Sequence, residues 1–169
     1  MIRPLLEGGD RRSLGRSHEA VGLIAEQPAL FGALLECLWD EDPVVRMRAA
    51  DAAEKASLGN PQLLQPHKKE LLGLADEAVQ QELRWHLAIM IPRLRLSTKE
   101  RKRAHDALCI YLEDKSSIVK TLAMQGLADL AEQDARLKPG TVEQIRTLTR
   151  TGTPAMRARG RKLLVRLER

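Results

Sequence analysis

Apolar residues recur at helical spacing along nearly all of this chain, and no stretch alternates as a half-buried strand would. The punctuation is regular. Pro28, Asp42-Pro43, Asn60-Pro61, Ser97, Ser116, Pro139-Gly140 and Thr153-Pro154 each place a first-turn proline or a capping side chain where a helix is due to start. The pattern predicts about nine short helices joined by short loops.

Every second helix aligns with the others. "VVRMRAADAAEKA" (44–56), "ELRWHLAIMIPRL" (82–94), "IVKTLAMQGLADL" (118–130) and "AMRARGRKLLVRL" (155–167) share an apolar residue (Val45, Leu83, Val119, Met156) followed by a basic one. The basic residues, Arg46, Arg84, Lys120 and Arg157, are 38, 36 and 37 positions apart. A small or apolar residue follows three places later: Ala49, Leu87, Ala123 and Gly160. Four matches in register signal an internal repeat. The alternate helices lie between these windows: "PALFGALLECLWD", "QLLQPHKKELLGLAD", "KERKRAHDALCIYLED" and "TVEQIRTLTRT".

A helix, an acidic turn and then Asp-Pro-x-Val-Arg-x-x-Ala-Ala-x-Ala resembles the HEAT repeat, and "DEDPVVRMRAADAA" (40–53) is its nearest copy. The third repeat departs from that pattern with bulky residues in place of alanines, and the fourth with "RGRKLL". The chain also looks like small stand-alone bacterial HEAT-like proteins without an assigned function. The resemblance implies an all-α fold, a right-handed α-α superhelix of helices in antiparallel pairs. It divides the chain into an N-terminal arm (1–16), a leading helix (17–26) and units at about 28–57, 61–95, 98–133 and 139–168. In this architecture one helical pair cannot bury its apolar face alone, so neighbours stack into a continuous core. The alanines at 49, 52, 53 and 56 permit close approach, and the last helix, with Met156, Gly160, Leu163, Leu164 and Leu167 inward, closes the stack.

Composition narrows the class. Hydrophobic residues make up 43% and charged residues 30%, a folded mix, while aromatics are only 2%. The core is therefore built from Leu, Ala, Ile, Val and Met. No apolar run is long enough to span a bilayer, and the start of the chain lacks a signal-peptide pattern. Cys37 and Cys109 lie apart inside helical patterns, as buried thiols in a reducing compartment do. The expected location is cytoplasmic. Net charge is +5, unevenly spread: residues 136–169 hold ten Lys/Arg against Glu143 and Glu168, leaving −3 for the first 135 residues. A second basic run, "RLRLSTKERKR", covers 93–103.

The candidate sites follow. Asp40 precedes Arg46 by six residues and Asp114 precedes Lys120 by six, as in the Asp–Arg pairing of HEAT repeats, which implies a structural ladder. Arg84 and Arg157 lack that aspartate and are the more available for binding. Trp85 and Ile89 are expected either to form an apolar spot on an inner surface or to pack against the next helix. Arg48 shares the slot of His86, Leu122 and Arg159. Arg159, Lys162, Arg166 and Arg169 fall at i, i+3, i+7 and i+10, one stripe of the last helix: either a solvated cap or a track for an anionic partner. "EGGDRRSLGRS" (7–17) reads as a loose arm, or as a glycine turn holding an anion with Arg11 and Arg12.

His18, His67, His86 and His105 have no metal spacing. Only His18 has an adjacent Glu, whereas HEAT-like di-iron hydroxylases use several such pairs. No phosphate loop, dinucleotide fingerprint or nucleophile elbow is present. No cofactor, metal, catalytic residue or small-molecule substrate is expected. The function expected is a non-catalytic scaffold that binds a protein partner through a concave or basic surface (Arg48, Arg84, Trp85, Ile89, Arg157, Arg159, Lys162, Arg166). The alternative is a nucleic-acid-binding protein related to HEAT-like alkylpurine DNA glycosylases, with Trp85, Asp51 and Arg48 as its only plausible group.

Overall fold

A computed structural model describes residues 1–169. The chain is 80% helical, with ten α-helices and no strand, so the all-α expectation holds. Relative to the nine predicted, the extra helix is a single turn inside the first sixteen residues. None of the helices is long and apolar enough to cross a membrane. The chain divides into two compact units, Met1–Lys69 and Glu70–Arg169. The division falls inside the first helix of the predicted 61–95 repeat.

The first unit holds α1 (Arg3–Leu6), α2 (Ser17–Glu26), α3 (Phe31–Glu36) and α4 (Pro43–Gly59), with 3-10 turns at Pro28–Leu30, Cys37–Trp39 and Pro61–His67. The Asp42 side chain caps α4 by accepting from the Val44 N–H, and Pro43 occupies the first turn, where its missing N–H costs nothing. α4 is the hub, packed by α1, α2 and α3. Ala49, Ala50, Ala52 and Ala53 are fully buried there, while Ala56 is half-buried. Asn60-Pro61 and Pro28 open 3-10 turns rather than α-helices. Pro66, inside the Pro61–His67 turn, has no N–H to extend an α-helical ladder.

The second unit contains most of α5 (Lys68–Glu77), then α6 (Gln81–Met90), α7 (Thr98–Tyr111), α8 (Ser117–Gln133), α9 (Lys138–Thr151) and α10 (Pro154–Leu167). Ser97 and Glu100 form a reciprocal capping box on α7. Ser116 and Thr153 cap α8 and α10 by accepting from Val119 and Met156. α8 is the hub: α6 lies on one side and α10 on the other, with α7 and α9 packed against it as well. Met124, Leu127, Ala128 and Leu130 bury completely along it. On α10, Met156, Gly160, Leu163 and Leu167 are buried and Leu164 is half-buried.

Side-chain hydrogen bonds between helices recur at one separation. Tyr111 donates to the Ala75 carbonyl at 2.7 Å, His105 pairs with Thr141, and Ser117 with Thr153, each 36 residues apart. Arg3 with Asp40 and Arg166 with Asp129 are 37 apart. This is the period of the sequence repeat, so each such residue reaches its neighbour one repeat away.

Gly126 lets α8 approach α6: a Cβ there would overlap the Ala88 carbonyl oxygen and press on Leu108. Backbone cannot yield as a flexible side chain can. Gly126→Ala is expected to destabilise the protein by about 1–3 kcal/mol through overpacking, read as a lower urea midpoint with unchanged slope. An unchanged midpoint would mean that α6 and α8 do not cross this closely.

Candidate functional site

Arg48 is a buried anchor, contrary to its expected place on a binding surface. It is 1% exposed, and its guanidinium donates to main-chain carbonyls of the N-terminal segment: Leu6 at 2.9 Å, Glu7 at 3.2 Å, Gly8 at 2.5 Å, Asp10 at 3.2 Å and Ser13 at 3.0 Å. Gly8, Gly9 and Gly15 adopt φ of 78°, 73° and 53°, the region that side chains disfavour. At Gly15 a Cβ would lie 2.8 Å from the Arg48 Cζ. The glycine turn thus presents carbonyls to a cation rather than N–H groups to an anion. Ile2 and Leu6 are buried, while residues 7–16 lie exposed around the Arg48 guanidinium. Ser17 does not cap α2; its hydroxyl donates to Asp51 Oδ2 at 3.1 Å, and Lys55 completes that carboxylate at 2.8 Å. Of the three residues named for a glycosylase-like group, Arg48 is thus committed to the N-terminal carbonyls and Asp51 accepts two hydrogen bonds on Oδ2.

The ladder exists but is wired differently from the expected pairing six residues along the chain. Asp40 accepts from Arg3 at 2.7 Å and from its own Asp42 N–H at 2.9 Å. Asp114 accepts from Arg84 at 2.7 Å and from the Ser116 N–H at 2.8 Å. Each carboxylate shapes its own turn and takes a guanidinium from an earlier helix. Both are held below the ordinary carboxylate range: Asp40 mainly by Arg3, Asp114 by the Ser116 N–H and Arg84 acting against burial, which pushes the other way. Arg46 donates to the Asp40 and Glu41 carbonyls at 2.7 and 3.1 Å. Arg84 also donates to the Ala78 carbonyl at 2.7 Å and sits 4.9 Å from the Tyr111 ring centroid. Arg84 is therefore the most tied of the set rather than the most available. Arg157 is exposed and donates to the Gly152 carbonyl at 2.9 Å. Trp85 and Ile89 are half-buried on α6, and the Trp85 ring lies tilted against His86 at 5.8 Å.

The basic stripe of α10 lines a groove of about 440 Å³ against α8. Ala155, Ala158 and Leu163 supply apolar surface and Thr121 a hydroxyl. Arg159 donates to Gln125 Oε1 at 2.7 Å, and Gln125 donates to Asp129 at 2.9 Å. Arg166 donates to that same Asp129 at 2.6 Å and lies 2.7 Å from Glu132. Arg159 and Arg166 are half-buried, so the stripe is not uniformly exposed. Lys162 is exposed and has no ion-pair partner. The positive charge is uncompensated at the Arg159–Lys162 end and neutralised at the Arg166 end. Gln125, Asp129 and Glu132 were not singled out from the sequence. The signal that finds them is the repeat period, since they lie 34 to 37 residues before the arginines they meet.

Half-buried Cys109 is 3.6 Å from His105 Nδ1 and 3.5 Å from the Gln144 amide nitrogen. Burial raises the Cys109 thiol and lowers His105, so the pair is neutral. Cys37 is buried and also free. No group of three or more His, Cys, Asp or Glu converges to hold a metal ion. Comparison of the chain with protein-family models, curated proteins and solved structures finds no match.

Two outcomes test these assignments. Arg48→Met keeps the volume but loses the charged donor, and should cost about 2–3 kcal/mol. It should also expose Arg11 and Arg12 to limited trypsin digestion, with wild type resistant under the same conditions. The ladder carboxylates set an acid limb. Their depressed pKa values give stability that is complete above the free carboxylate value of about 4; it is lost as pH falls through the folded-state values. Asp40→Asn with Asp114→Asn should flatten the fall in thermal midpoint below pH 4. An acid limb as steep as that of wild type would refute the ladder assignment.

Proposed function

We propose that this chain is a HEAT-like α-solenoid that acts as a binding module, and that the α8–α10 groove holds an acidic, amphipathic segment of a protein partner. The carrying observation is the combination of Lys162, without a counter-ion, beside Arg159 in a groove to which Ala155, Ala158 and Leu163 add apolar surface. Apolar and cationic groups in one narrow channel match a segment that carries both carboxylates and aliphatic side chains. The 34–38-residue recurrence of the helix-to-helix hydrogen bonds supports the solenoid reading, as do second helices α6, α8 and α10 lying side by side.

Duplex DNA fits the same groove less well. Nucleic-acid affinity rises with each phosphate neutralised, and Asp129 and Glu132 already neutralise Arg166. The exposed Trp39 and half-buried Trp85 are poor material for a stacking platform. A scaffold role needs no reacting group, and the engaged states of Arg48 and Asp51 agree with that.

The test is fluorescence anisotropy with a labelled acidic amphipathic peptide and, in parallel, a labelled DNA duplex. The peptide should bind at low salt and weaken as salt rises. Arg159→Glu with Lys162→Glu should reduce its affinity by at least about tenfold, near 1.4 kcal/mol. The thermal midpoint should fall only modestly, because Lys162 is exposed and half-buried Arg159 loses a single hydrogen bond, to Gln125. Equal peptide binding by the double variant would remove the groove from consideration. Tighter binding to the duplex than to the peptide would favour the nucleic-acid reading.

A further inference from the structure

Four residues share one position in the first turns of α4, α6, α8 and α10: Arg46, Arg84, Lys120 and Arg157. The three arginines fold back on their own chain. Arg46 donates to the Asp40 carbonyl, Arg84 to the Ala78 carbonyl and Arg157 to the Gly152 carbonyl, at 2.7, 2.7 and 2.9 Å. The Lys120 side chain makes no hydrogen bond and no ion pair, although the residue is half-buried. The nearby Asp114 feels its charge, but the oxygens of Asp114 are already taken by the Ser116 N–H and Arg84. A lysine ammonium can donate three hydrogen bonds, and here none is made to protein.

Lys120 lines a cavity of about 220 Å³ together with Lys115, Ser117, Thr151, Thr153 and Met156. Lys115 is exposed and equally without an ion-pair partner. Two cations thus share one small cavity with no carboxylate among its lining residues. The hydroxyls of Ser117 and Thr153 are 2.8 Å apart, and either one can donate to the other. Thr153 Oγ1 also accepts from the Met156 N–H. Whichever hydroxyl donates across the pair, the hydrogen of the other is left to donate elsewhere. The cavity therefore offers two ammonium groups and one hydroxyl donor to a ligand that must supply acceptors and negative charge.

We propose that this cavity is a site for a tetrahedral phosphate dianion, held by Lys115 and Lys120 and oriented by the Ser117–Thr153 hydroxyl pair. A lysine rather than an arginine at position 120 is what leaves the cavity charged. A guanidinium there has the fork and reach to close on its own turn, as its three counterparts do. The site is separate from the α8–α10 groove and does not depend on a ligand binding there.

The experiment is a two-dimensional amide NMR titration of the full chain with inorganic phosphate at constant ionic strength, and in parallel with a phosphoserine peptide and its unphosphorylated form. Amide shifts at 115–120 and 151–153 should saturate with phosphate. Lys115→Met with Lys120→Met should abolish saturation, while Arg159→Glu with Lys162→Glu should leave it intact. Lys120→Arg keeps the charge and should still weaken binding by about tenfold. Tighter binding of the phosphopeptide than of phosphate identifies a phosphorylated side chain as the source; equal or weaker binding identifies free phosphate. Three results would overturn the proposal: no saturation at these amides in wild type, full binding by the double methionine variant, or wild-type affinity in Lys120→Arg. Well-dispersed spectra of each variant establish that any loss of binding is not a loss of fold.

Discussion

Short helices in a chain with almost no aromatic side chains must come close together to be stable. Large rings usually supply much of the contact area in a core; here Leu, Ala and Met have to supply it, and dispersion falls off steeply with separation. The solution in both units is a seventeen-residue hub helix with small residues on its contact faces. α4 uses Ala49, Ala50, Ala52 and Ala53, and α8 uses Ala123, Gly126 and Ala128. The rest of the architecture follows from these hubs. Each is flanked by shorter helices, and polar side chains at the turns fix how the flanking elements sit.

Those turns are governed by a second constraint. A short loop between helices leaves carbonyls and N–H groups unsatisfied, and this chain answers with guanidinium groups. Arg46, Arg84 and Arg157 satisfy turn carbonyls next to their own helices, while Arg48 does the same for a whole N-terminal segment. Asp40 and Asp114 satisfy N–H groups and bind arginines from elsewhere. Much of the positive charge is consequently structural. The functional question then becomes which cations the turns do not consume; among those that line the two cavities described above, they are Lys115, Lys120 and Lys162.

The periodic part of this organisation was legible in the sequence. Apolar spacing and the caps Asp42, Ser97, Ser116 and Thr153 are local properties, and local properties carry over directly into helices. The repeated basic position was visible as well, but its partners were not. An aspartate six residues before Arg46 and Lys120 invited a local pairing, whereas the carboxylates reach Arg3 and Arg84 instead. Such partners depend on how helices stack. Arg48 shows the same limit more sharply. In the repeat alignment it shares a slot with Arg159, which lines an open groove, yet the N-terminal segment lies over it and buries it. The glycines of residues 7–17 hinted at a turn, but not that the carbonyls of Leu6, Glu7, Gly8, Asp10 and Ser13 would converge on a cation.

Charge totals are for that reason a poor guide to binding in this protein. The segment from Arg136 onward looks like a polyanion track when its residues are summed. In three dimensions Arg136 pairs with Asp134, Arg146 with Glu143 and Glu168, and Arg166 with Asp129 and Glu132. Seven of the ten cations, Lys138, Arg150, Arg157, Arg159, Arg161, Lys162 and Arg169, keep no carboxylate partner, and of these Arg159 and Lys162 line the α8–α10 groove. An arginine's rigid fork is readily absorbed by two acceptors on a turn, whereas a lysine's point charge on a flexible stem is less often captured. At a position that holds arginine in three helices of four, the lysine is the residue that leaves its charge uncommitted. On the proposal made above, anion recognition follows from where the repeated position changes from arginine to lysine, and only secondarily from how basic the chain is.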